Sequence, residues 1–260
     1  MLKEQRPAIP EAIKRSIRQK CGFGCVACGV PFFHYDHVVQ HSLVQEHSED
    51  NLTLLCPNHH QAKTSGLLPV EKIIKAIASP YNKNRTHSAG HTLFAAGSKG
   101  RIILGSVEFT FDFTRYPNPE GFATFAVNGT ALIGMEHEDG NFLLYFYGAD
   151  ESGRDLFIIE QGELVVSTEA WDYEVKGRRF VVRRRSLPGL SGQVVLDLTK
   201  LDSGFRVTTG LVLHQGRGLR IKRDRIIVLP QNSTIRDIGF KDCYAGISVG
   251  IPKVGFISID

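Results

Sequence analysis

Several things are scarce in this 260-residue sequence, and each shortage excludes a class of protein. Five cysteines are too few for a disulfide scaffold, and they are unevenly placed, with four between Cys21 and Cys56 and the last at Cys243. No run approaches the ~20 apolar residues of a membrane helix, and no basic-then-apolar leader opens the chain. Together with free-thiol usage, this predicts a cytoplasmic protein with no membrane partner. No repeat period is visible, nor a phosphate loop, a dinucleotide fingerprint or a nucleophile elbow. Charge of one sign is also in short supply: 31 basic against 27 acidic residues leave a net +4, compatible with a polyanionic partner but weak as an argument for one.

What is present is concentrated between Cys25 and His60. Cys25 and Cys28 form a C-x-x-C knuckle, and Cys56 and His59 a C-x-x-H knuckle. Thiolates and imidazole are the ligands that a tetrahedral structural Zn²⁺ prefers, and a two-residue gap lets each pair grip one ion from a tight turn. Superimposed on this quartet are Asp36-His37, Asn51 and His60. A carboxylate, two imidazoles and a carboxamide are the materials of a one-metal hydrolytic site. Cys21 reads as a half-buried helix-end residue, with a Cys21–Cys28 pairing as the alternative. His34, His41 and His47 read as solvated residues, His41 with the option of competing for metal.

Asp36-His37, the run Asp50–Cys56, and Cys56-Pro57-Asn58-His59-His60 followed by Lys63 resemble the HNH endonucleases over about residues 10–66. The resemblance implies a ββα-metal module. Phe32–His41 is expected as one strand, with Asp36 and His37 on opposite sides. Ser42–Asp50 is expected as a polar loop, Asn51–Leu55 as the second strand, and a helix opens at Pro57. His59 and His60 then lie roughly 100° apart on that helix, so one faces the zinc and the other a second metal. The resemblance further implies His37 as general base and Asn51 as its orienting partner. Asp36 and His60 would hold a catalytic cation (Mg²⁺, Mn²⁺ or Ni²⁺), and Lys63 would be a nucleic-acid contact. The partner implied is nucleic acid, double-stranded DNA first. HNH proteins with an extra domain act in restriction, phage defence, mobile elements or phage packaging. The alternative is a zinc-stabilised nucleic-acid-binding or assembly protein without catalysis.

Outside this stretch, Pro10 opens a helix over Glu11–Lys20 with Lys14, Arg15, Arg18 and Lys20 exposed. Leu67–Ala78 has helical spacing, and a domain boundary is expected between Ser79 and Ala89, giving domains of about 1–80 and 90–260. From Gly90 onward helical periodicity disappears. Val107–Phe113 alternates as a half-buried strand, and Asn128-Gly129, Asp139-Gly140, Gln161-Gly162 and Lys176-Gly177 mark turns between β-branched or aromatic runs. The whole is therefore α+β: the small metal module, then an all-β sandwich-like or rolled-sheet domain, with a solenoid rung at the Gly-rich end as the alternative. Lys176–Arg185 and Arg217–Arg225 are two basic stretches. Arg183, Arg184 and Arg185 are candidate phosphate contacts, with solvated strand ends as the other reading. The second domain is expected to position the substrate; homo-oligomerisation is compatible with the sequence.

Overall fold

The computed structural model describes residues 7–115, 121–149, 152–185, 192–241, 245–250 and 257–259. Cys243, expected as a small buried residue in the last strand region, lies outside them. The chain divides into two compact units, Met1–Ala89 and Gly90–Asp260. Few helices and a large strand-rich C-terminal region characterise the fold. No helix among the described residues is long and apolar enough to cross a membrane.

The first unit runs α1 (Glu11–Lys20), β1 (His34–His37), α2 (His41–Val44), β2 (Leu52–Leu55), α3 (Pro57–Thr64) and α4 (Val70–Ala78). Its core gathers Ile17 of α1, Val26, Leu52, Leu54 and Leu55 of β2, and Ile73 of α4 around the buried cysteines. Antiparallel β1 and β2 place Asp36 opposite Thr53 and His37 opposite Leu52.

Three local expectations change. The first strand stops at His37, and His41 opens a helical turn. The last ladder bond is Val38 N–H to the Asn51 carbonyl (2.9 Å), and the Asn51 side chain then takes over the backbone of Val39. α4 begins at Val70 because Pro69, with no N–H to give, serves as its N-cap and leaves Leu67 and Leu68 in the connection. Arg18, expected on the exposed face of α1, is only 2% exposed. Its stem packs into the core and its guanidinium donates to the Tyr35 hydroxyl, so the charge keeps a hydrogen-bonded exit.

The stretch between Ser79 and Ala89 is folded back on the C-x-x-C knuckle. Tyr81 N–H bonds the Val26 carbonyl (3.0 Å), and Ala89 N–H bonds the Gly29 carbonyl (3.2 Å). Fully buried Asn82 donates to the carbonyls of Gly22 (3.0 Å) and Gly29 (2.8 Å). Gly29 has φ +77°, and a Cβ there would stand 2.3 Å from Asn82 Oδ1. The knuckle turn thus requires both the left-handed glycine and the close approach of Asn82.

In the second unit the described strands form two sheets. In one, Phe122–Val127, Thr130–Glu138, Asn141–Ala149 and Asp155–Glu160 follow as antiparallel neighbours. The other runs from Asp172–Lys176 through Arg179–Arg184, Gln193–Leu201, Gly204–His214 and Arg217–Lys222 to Arg225–Leu229. Asn128-Gly129, Asp139-Gly140 and Gln161-Gly162 all have positive φ at both residues, the mirror-image turn whose twist matches paired strands; Gln215-Gly216 adds a fourth. The sheets pack face to face through aromatics: Phe111 of strand Val107–Asp112, which joins the second sheet, and Phe113 in the turn after it lie 4.8 and 5.0 Å from Phe122 of the first, ring centroid to centroid. Consecutive hairpins build most of both sheets, and at the Gly-rich end Gly239–Lys241 and Ala245–Val249 join them as parallel neighbours of Val107–Asp112 and Phe122–Val127.

Candidate functional site

The four knuckle side chains converge. The sulfurs of Cys25, Cys28 and Cys56 and a ring nitrogen of His59 all lie within 4.8 Å of one another. His59 Nδ1 is 3.2 Å from Cys56 Sγ and 3.5 Å from Cys25 Sγ. Local chemistry explains the placement. Cys56 is the N-cap of α3, its sulfur receiving the His59 N–H at 3.5 Å, and Pro57 starts the helix, so the C-x-x-H pair is wound onto one turn. In the knuckle, Cys25 N–H bonds the Val30 carbonyl (3.0 Å) and Gly29 N–H bonds the Cys25 carbonyl (2.7 Å). A hydrogen bond from Cys28 draws the Cys25 thiol downward in pKa, and the same bond, with burial, pushes Cys28 up. Cys21 differs. Burial drives its pKa up to about 11, and its sulfur lies against Thr53 Oγ1 at 3.9 Å, outside the quartet. Three thiols and an imidazole at this spacing fit a zinc ion, so the unit contains a candidate zinc site.

On the other side of β1 and α3 lies an open cleft of about 260 Å³, lined by Asp36, His37, Gln40, His41, His60 and Lys63 among others. Asp36 and His37 are each 7% exposed. Asp36 Oδ1 stands 3.4 Å from His60 Nε2, so the two residues expected to share a cation do meet. His59 and His60, adjacent on α3, point one to the cysteines and the other to the carboxylate, as the helical turn angle requires.

Lys63 is differently placed from the nucleic-acid contact expected of it. Its ammonium is folded onto the Asp36 carboxylate and the His37 carbonyl oxygen. Asn51 touches the main chain of Val39, two residues beyond His37. Its Oδ1 accepts from Val39 N–H at 2.7 Å and its Nδ2 donates to the Val39 carbonyl at 3.0 Å.

The basic run in the strand-rich unit is largely engaged. Arg183 pairs with Glu174 and lies 3.9 Å from buried Asp172. Arg179 makes two 2.7 Å bonds to Asp197, and Arg184 Nε donates to Gln193 at 3.0 Å. Arg185 is exposed beyond the end of its strand. These partners lie on the neighbouring strands, 9 to 18 residues away, so the run reads as a cation patch when taken alone. His41, His47 and Asn82 are the residues whose importance the sequence understates: the first reads as the end of a strand, the second lies in a polar loop and the third in an apparent linker.

Residues 19–66 match the family model described as HNH endonuclease. The first unit therefore carries an HNH domain, and the strand-rich unit is not recognised. No curated protein and no solved structure matches the chain.

Proposed function

We propose that the first unit is a ββα-metal nuclease hydrolysing phosphodiester bonds of DNA, with His37 as general base. The observation that carries this reading is the meeting of Asp36 and His60, 3.4 Å apart, beside His37 in an open cleft. A carboxylate oxygen and an imidazole fit Mg²⁺, Mn²⁺ or Ni²⁺, and such a cation, when bound, would stabilise charge on the phosphoryl and leaving oxygens. His37 takes the proton of the attacking water; an imidazole is neutral near physiological pH and suits that role. Asn51 fixes the backbone that leaves β1, and so the direction of the His37 ring. The Cys25–Cys28–Cys56–His59 zinc ties the C-x-x-C knuckle to α3, which carries His60.

The test is nicking of supercoiled plasmid with each cation, beside the His37→Ala protein. General-base catalysis contributes ~10²–10⁴-fold, so His37→Ala should lose cleavage by that factor with its zinc retained. The Lys63 ammonium on Asp36 favours a second reading, a zinc-stabilised nucleic-acid-binding or assembly module that cuts nothing. Wild-type protein that binds DNA but leaves it uncut with all three cations would establish the second reading and end the first.

A further inference from the structure

Three imidazoles from separate parts of the β1–β2 connection meet beside the cleft. His37 ends β1, His41 opens α2, and His47 lies in the loop before β2. Their ring nitrogens lie within 4.8 Å of one another. The ring centroids form a nearly equilateral triangle with sides of 5.0, 5.1 and 4.9 Å. His37 Nε2 is 3.0 Å from His47 Nδ1.

The tautomer of His47 follows from its second contact. His47 Nε2 is 2.7 Å from the Pro7 carbonyl oxygen, which can only accept, so Nε2 carries the proton. His47 Nδ1 therefore bears the lone pair, and it is the atom aimed into the triangle. A histidine whose outer N–H is held by a backbone carbonyl while its other nitrogen faces a shared point is the arrangement that orients metal ligands.

From these contacts we infer that His37, His41 and His47 form a second transition-metal site, separate from the cysteine quartet and from the Asp36–His60 pair. Tetrahedral ligands at metal–nitrogen distances of ~2.0–2.1 Å stand about 3.4 Å apart. The His37–His47 pair is already close to that spacing, and small side-chain rotations bring in His41. An all-imidazole set selects Zn²⁺, Co²⁺, Ni²⁺ or Cu²⁺ over Mg²⁺ or Ca²⁺, which take oxygen ligands. Three protein ligands leave a fourth position open to water. With ion bound at Nε2, His37 carries its proton on Nδ1, and the bound nitrogen has no lone pair left for proton transfer. The site stands on geometry alone. Its consequence, inhibition by excess Zn²⁺ of cleavage supported by Mg²⁺ or Mn²⁺, rests on the nuclease reading.

The experiment uses full-length protein already holding its quartet zinc. Equilibrium dialysis against Zn²⁺ with elemental analysis counts the metal, and Co²⁺ titration reports the ligands through visible bands without thiolate charge transfer. The wild type is expected to take a second equivalent with this nitrogen-type spectrum. The second equivalent should be lost in His41→Ala and in His47→Ala and kept in His60→Ala, which impairs only the Asp36–His60 pair. Retention of the quartet zinc shows that each variant is folded, and His47→Gln serves if His47→Ala is not. A wild type that stops at one equivalent, or a second ion indifferent to both His41 and His47, overturns the site. Protein that nicks nothing would end the nuclease reading and leave this stoichiometry as it was.

Discussion

Asn51 closes two hydrogen bonds on a single residue, Val39: its carbonyl oxygen accepts the Val39 N–H at 2.7 Å and its amide donates to the Val39 carbonyl at 3.0 Å. This clamp holds the chain where it leaves β1 just after His37. Asn51→Ala should therefore cost about 1–2 kcal/mol and lower cleavage by more than the stability loss explains. Asn51→Asp keeps the acceptor and loses the donor, so it should fall between. Thermal unfolding beside nicking rates checks this order. Equal rates in all three proteins would remove Asn51 from the positioning of His37.

Zinc should be bound by the quartet and not by Cys21. Cys56→Ser or Cys25→Ser should release the metal and unfold the first unit, because ligand binding and folding are coupled. Cys21→Ser should keep the metal and lose only about 1 kcal/mol or so of burial. Acid should release the ion, since protons compete for thiolate and imidazole. Elemental analysis after dialysis decides; metal lost with Cys21→Ser and kept with Cys56→Ser would reverse the ligand assignment.

Lys63 competes with any cation that Asp36 and His60 hold, since its ammonium already rests on the Asp36 carboxylate. Removing that charge with Lys63→Met should tighten Mn²⁺ binding, measurable by titration of the free-ion paramagnetic signal. Asp36→Ala should abolish that binding and leave the quartet zinc in place. Unchanged affinity in Lys63→Met would mean the lysine swings away at no cost.

Asn82 should matter far more than a linker residue would. Asn82→Ala removes two buried hydrogen bonds to the Gly22 and Gly29 carbonyls, a loss of about 2 kcal/mol, and should speed zinc release to a chelator. Gly29→Ala should act in the same direction through its positive φ and the collision with Asn82. Chelator-driven release at the wild-type rate in both variants would show that the segment merely lies against the knuckle.

Arg183 is a structural cation. Arg183→Ala removes a cation from beside Glu174, which keeps Lys176 at 3.1 Å, and from beside buried Asp172, and should cost about 1–3 kcal/mol. Neutralising Arg183, Arg184 and Arg185 together should change the salt dependence of DNA binding by about one unit, the share of exposed Arg185, where three phosphate contacts would give about three. Anisotropy titration over salt separates these outcomes, and a change near three would return Arg183 and Arg184 to the DNA.

The sequence by itself determined what depends on near neighbours. Two-residue gaps between ligands, proline after Cys56 and the turn angle between His59 and His60 are local facts. They place Cys25 with Cys28 on one turn, Cys56 with His59 on another, and His60 on the opposite side of α3 from His59, whatever the rest of the chain does. Strand alternation and the Asn-Gly, Asp-Gly and Gln-Gly turns likewise made the second unit legible as paired strands, because turn geometry is set by two residues. Tertiary structure alone decided the partners. Whether Lys63 reaches for a phosphate or folds onto Asp36, and whether Arg183 is a solvated cation or the counter-ion of Glu174, depends on which carboxylate a neighbouring strand or helix brings near. The same holds for Arg18 under Tyr35, for Asn82 on the knuckle, and for His41 and His47 closing on His37. A side chain's charge and hydrogen-bonding capacity can be read from its letter. The group that satisfies them is chosen by packing, which costs little sequence information and leaves no local pattern.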